Sequence, residues 1–187
     1  MIKFQQFCRD SLSLYITVMN RIGKAAGEWF IPLAARFTFV AVLAGYYWAS
    51  AMTKLEGVFT PTIGGYYQIL PSITQAAEYD TDAISLFFTP IVLLGSWAEF
   101  ILPALLLVGL FTRGAALAMV GFVVVQSLTD IWGHGAEAAT IGAWFDRTSD
   151  SLILDQRLFW VFVLAVIVVK GAGRLSLDNF LNLDRKR

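Results

Sequence analysis

Residues 84–110 read ISLFFTPIVLLGSWAEFILPALLLVGL, an apolar run interrupted by a single charge, Glu99. A helix needs about 20 apolar residues to cross roughly 30 Å of hydrocarbon, so this run marks a membrane span. Residues 33–53 qualify by the same criterion, and two shorter runs, a marginal one at 115–131 and a short one at 158–172, are read as the remaining spans. Residues 33–53 carry no charge after Arg36, residues 115–131 carry only Asp130 near their end, and residues 158–172 close on Lys170. The lysine stem there can lie along lipid while its ammonium reaches the headgroups. Across the whole chain 57% of residues are hydrophobic and 15% are charged, against about 25% charged in soluble domains. That balance cannot cover a water-facing surface, whereas apolar side chains face lipid at no cost. The expected fold is all-α, a membrane bundle of four helices.

Charge placement sets the expected orientation. With Arg36 counted at the N-terminal end and Lys170 at the C-terminal end, Lys and Arg number five, one, one, two and five along the five segments that flank the spans. The two long connections are acidic, with Glu56, Glu78, Asp80 and Asp82 in the first and Glu137, Asp146, Asp150 and Asp155 in the second. Cytoplasmic flanks collect Lys and Arg, which implies four spans with both termini cytoplasmic. The expected surroundings are the lipid bilayer. Nucleic acid is not among the expected partners.

Residues 1–30 read as a separate amphipathic helix lying in the interface, with residues 31–187 forming the four-span domain. Ile2, Phe4, Phe7, Cys8, Leu12, Tyr15, Met19 and Ile22 recur at three- to four-residue steps, while Lys3, Arg9, Arg21 and Lys24 fall largely elsewhere. Such a helix sets basic residues toward anionic headgroups, and Pro32 is expected to mark the turn into the first span. Arg9, Asp10, Asn20, Arg21 and Lys24 interrupt the start, so no cleaved signal peptide is expected. The two outer connections exceed simple linkers in length, and long loops are commonly functional or structured. Their aromatic residues predict that both fold over the outer mouth of the bundle.

Few residues offer chemistry. A carboxyl at mid-membrane normally faces the bundle interior and finds a partner, so Glu99 is either a proton-handling or quinone-contacting group or one end of an interhelical hydrogen bond. Straight spans place Tyr46 and Tyr47 at its depth as candidate partners and, with Trp97, as candidate ligand contacts. Arg36 and Lys54 bracket the first span as electrostatic supports or as snorkelling end residues. His134, with Asp130 and Glu137 nearby, is a poor metal signature and reads as a solvated loop histidine. With one cysteine and one histidine in the chain, no zinc, iron–sulfur or bis-histidine haem site is expected from it alone.

Three segments resemble the DoxX family: ARFTFVAVLAGYYWASAMTKL (residues 35–55), WAEFILPALLLVGLFTRGAALAM (97–119) and KGAGRLSLDNFL (170–181). The resemblance implies a small four-helix inner-membrane protein with polar positions at Arg36, Lys54, Glu99, Arg113 and Asp178. Relatives include the membrane subunit of thiosulfate:quinone oxidoreductase and proteins linked to redox stress or metal handling. This chain departs from the family pattern at Ala49–Ala51, where a glycine usually precedes the lysine. The implied function is that of a membrane subunit of a redox or quinone-linked system, with quinone as cofactor and a protein partner or a second copy beside it. The alternative is a non-catalytic membrane anchor for a partner in stress or metal handling.

Overall fold

The computed structural model describes residues 2–183, without the side chains of residues 2–5, 7, 8 and 10. The basic C-terminal residues Arg185, Lys186 and Arg187 and the apolar side chains of Ile2, Phe4, Phe7 and Cys8 lie outside the described residues. The chain is mostly helical. Its elements run α1 (Ile2–Ala25), α2 (Ile31–Phe39), α3 (Gly45–Lys54), β1 (Leu55–Gly57), β2 (Thr60–Pro61), α4 (Ile63–Ile69), α5 (Pro71–Ala76), α6 (Thr89–Val108), α7 (Thr112–Leu128), α8 (Ala138–Ile141), α9 (Arg157–Lys170) and α10 (Leu177–Phe180). Among the described residues four helical stretches are long and apolar enough to span a membrane: Ser11–Lys54, Leu86–Val108, Thr112–Gly133 and Leu152–Lys170.

The four spans pack as a ring. The first touches the second through α3 and α6, the second touches the third through α6 and α7, the third touches the fourth through α7 and α9, and α9 closes on α2. Phe39, Leu43, Tyr47, Leu106, Met119, Val123, Leu164 and Ile167 form the shared interior. The short turn from Gly109 to Phe111 makes α6 and α7 antiparallel neighbours. Gly109 adopts φ +70°, and a Cβ there would sit 2.8 Å from the Arg36 Cζ atom, so both the left-handed conformation and the close approach require glycine.

The turn expected at Pro32 is absent. Helical dihedrals continue through Ala25, Phe30 and Ile31 into α2. A proline inside an α-helix clashes with the carbonyl four residues back, here that of Glu28, and leaves it without a donor. The segment Ala26–Phe30 is instead a π turn, closed by Ile31 N–H donating to the Ala26 carbonyl. The wider turn absorbs the proline, and the N-terminal helix and first span form one helix. A second π turn, Val40–Ala44, joins α2 to α3.

The fourth span starts earlier than expected, at a π turn covering Leu152–Gln156. Asp155 and Arg157 discourage that reading in the sequence, but Arg157 is neutralised inside the bundle. The two long connections fold over one end of the bundle. Thr62 caps α4 by accepting from Gly65 N–H, and a two-stranded hairpin, not expected from the sequence, links α3 to it. The Tyr66 hydroxyl shares a 2.7 Å hydrogen bond with Thr89 at the start of α6. His134 lies within hydrogen-bonding distance of the Gln68 carbonyl and edge-on to Tyr67, which ties the two outer connections together.

Candidate functional site

Lys54 ends α3, where a cation is favoured by the carbonyl end of the helix dipole. Its ammonium donates to both Glu99 oxygens, at 3.0 and 2.8 Å, and to the Ser50 hydroxyl one turn earlier. Lys54 is 4% exposed and Glu99 3%. The outer hairpin seals the pair, because Thr62 N–H donates to the Lys54 carbonyl at 2.9 Å and Gly65 packs directly on the Lys54 backbone. The acid therefore has its partner on the first span, as its depth requires. That partner is Lys54 and not Tyr46 or Tyr47. The depth argument fails because it matches Cα heights, whereas a lysine side chain reaches inward from the helix end.

A second ion pair joins the third and fourth spans. Arg157, 3% exposed, donates to Asp130 and, at 3.0 Å, to the Ser127 hydroxyl. Its guanidinium lies 5.9 Å from the Trp160 ring centroid, a cation–π distance. The Arg157 Nε atom is buried with no hydrogen-bond partner among the described residues. Between the two ion pairs, Gln126 on α7 donates to the Tyr46 hydroxyl at 3.0 Å and accepts from Tyr47 at 3.4 Å.

Ser50, Lys54, Glu99, Tyr46, Gln126, Asp130 and Arg157 line one cleft of about 920 Å³. Its α6 wall is Ile91, Gly95, Ala98 and Leu102, and its α7 wall is Ala118, Gly121, Phe122 and Val125. Ile91, Ala118, Gly121 and Val125 are exposed, so the cleft opens sideways between the second and third spans. Gln68, Ile69 and Leu70 from the outer connection line it too, and Ile69 seats against Gly95. The result is an apolar slot with Lys54, Glu99, Gln126, Asp130 and Arg157 on its polar side.

The expected site residues divide in two. Glu99, Lys54 and Tyr46 line the cleft, and Tyr47 lies fully buried behind it. Trp97 does not line it; its indole donates to the Val58 carbonyl and its ring packs on Phe59. Arg36 does not support Glu99. It sits at the opposite end of the bundle, where it donates to the carbonyls of Leu106, Leu107, Ala172 and Leu175. Arg113 is at that end as well, bonded to the Val168 and Val169 carbonyls.

Asp178 closes the same end. Its carboxylate accepts from Phe111 N–H at 2.7 Å and Thr112 N–H at 2.8 Å, capping α7 from the far end of the chain. Phe111 holds φ +48°, which for a bulky residue costs on the order of 1–3 kcal/mol, and these two bonds fix it there. Replacing Asp178 with alanine should destabilise the protein by about 1–2 kcal/mol, the usual loss for an N-cap. Phe111→Gly in that background should recover part of the loss in a detergent unfolding titration, and no recovery would discount the strain.

Three contributors were missed in the sequence. Gln126 and Ser50 carry no distinguishing pattern, because isolated polar residues on a span resemble packing contacts. Arg157 reads as loop beside Asp155 and Asp150, and only its pairing with Asp130 reveals it. No group of three or more metal-ligating side chains clusters among the described residues.

No family model, curated protein or solved structure matches the chain.

Proposed function

We propose that this is a four-span bacterial inner-membrane protein with both termini cytoplasmic, serving as the membrane subunit of a quinone-linked redox system of the DoxX type. The observation that carries this reading is the side-opening cleft with one buried and one half-buried ion pair on its polar side. A quinone is an amphipathic ring with carbonyl acceptors and an apolar tail, and it travels within the bilayer. The cleft suits each part: apolar α6 and α7 walls for the tail and ring, and Lys54, Gln126 and Arg157 as donors for ring oxygens. Small-molecule sites of this kind combine mainly apolar lining with a few placed polar groups.

Glu99 and Lys54 would hold one ring oxygen, and Glu99 is the group placed to exchange a proton there. When bound, a quinone supplies two-electron, two-proton carrier chemistry. The chain has too few cysteines and histidines for a metal relay of its own, so a partner protein supplies the electrons. The acidic connections and basic ends of the sequence support the orientation.

A titration of the purified protein in nanodiscs with a short-tailed quinone tests this. Glu99→Gln should weaken binding by about tenfold or more, the worth of one hydrogen bond to a charged group. Absence of binding, or equal binding by the variant, would sink the assignment. A stable soluble partner co-purifying with a protein that binds no quinone would favour the anchor reading.

A further inference from the structure

At the end of the bundle away from the cleft, the long N-terminal helix passes the end of α9 and leaves a groove of about 600 Å³. Gly23, Lys24, Gly27, Glu28, Arg113, Val169 and Lys170 line it. We propose that this groove binds the phosphate headgroup of one anionic phospholipid.

The charge favours an anion: among the described residues that line the groove, Lys24 and Lys170 stand against one carboxylate, Glu28. Lys24 and Lys170 are exposed, on separate helices, and neither belongs to a salt bridge among the described residues. Ammonium groups of like charge on two helices bordering one groove favour an anion between them. Two glycines, Gly23 and Gly27, leave the N-terminal helix wall of the groove without side chains. A Cβ on Gly27 would lie 3.6 Å from the Lys170 ammonium, and one on Gly23 would meet nothing within 4 Å. Any larger side chain at position 27 would fill the place where a headgroup oxygen meets Lys170.

The flanks favour a lipid over a soluble anion. Ile22, Trp29, Phe30 and Val169 are exposed beside the groove. Aromatic residues of this kind settle at headgroup level, and the apolar ones continue into the acyl region. Basic grooves between membrane helices are suited to anionic headgroups. Glu28 is positioned to accept from a headgroup hydroxyl, which makes phosphatidylglycerol the probe of choice.

Native mass spectrometry of the full chain, released from mixed phosphatidylglycerol and phosphatidylcholine, should show one phosphatidylglycerol retained preferentially. Lys24→Gln and Lys170→Gln should each weaken retention by about fivefold, the factor expected for one lysine near an anionic surface. The charge-matched control Arg147→Gln, on the outer connection, should change nothing. Gly27→Leu keeps every charge and should abolish retention. Retention unchanged in Gly27→Leu would mean diffuse attraction and overturn the site, as would equal retention in the double lysine variant. Displacement of the lipid by inorganic phosphate would assign the groove to a soluble anion and overturn the lipid reading.

Discussion

Replacing Glu99 with leucine should destabilise the bundle by about 3–5 kcal/mol, the loss seen when one member of a buried ion pair is removed. The arithmetic is asymmetric. The pair itself contributes little net stability, because bringing both ions out of water offsets most of their attraction. The variant is damaging because the Lys54 ammonium is left 4% exposed with only Ser50 to receive its protons. Lys54→Met added to Glu99→Leu should therefore recover most of the loss, since two apolar side chains of similar volume replace the pair. The measurement is a double-mutant cycle on unfolding in mixed detergent and sodium dodecyl sulfate. Additive losses in the double variant would refute the coupling. The restored double variant should still fail to bind quinone, which separates fold from function at one site.

The second large effect lies at the other end. Arg36→Leu should cost at least about 4 kcal/mol, because four hydrogen bonds from a cation are lost and each is typically worth about 1.5–3 kcal/mol. Total stability in globular proteins is about 5–15 kcal/mol, so the variant should accumulate poorly and elute as aggregate. Leu106 and Leu107 end α6, where carbonyls lack helical donors, while Ala172 and Leu175 follow α9. One guanidinium thus holds the ends of the second and fourth spans to the start of the first. Arg36→Lys offers a single nitrogen in place of a fork and should recover less than half. A variant within about 0.5 kcal/mol of the parent, as for a typical surface change, would show that Arg36 merely snorkels.

The two ends of the bundle were legible to different degrees. Hydropathy located the spans, because length and apolarity follow directly from bilayer thickness. Glu99 stood out for the same reason, as a lone charge where charge is expensive. Its partner was harder to read. Lys54 looks like any basic residue at a helix end, and only the hairpin folding back over it converts a snorkelling side chain into a buried one. Arg36 misled in the opposite direction: its charge suggested chemistry, whereas its fork geometry serves carbonyls contributed by residues far away in the chain. Pro32 misled locally, since a π turn is not encoded by any single residue type. The cleft was not legible at all, because it arises from the separation of α6 and α7 beneath the outer connection.

The order in which charges and partners appear along the chain bears on how the protein is made. Lys54 is synthesised 45 residues before Glu99, so the first span enters the bilayer with no counter-ion available. Its position at the helix end allows the ammonium to wait at the headgroups and to be drawn inward when the second span docks. Asp130 likewise precedes Arg157 by 27 residues, and Arg36 waits for carbonyls 136 and 139 residues downstream. Each joint between spans is thus made by a late segment arriving at an early one, and insertion can proceed span by span. The ring is locked only when the chain after the fourth helix is complete.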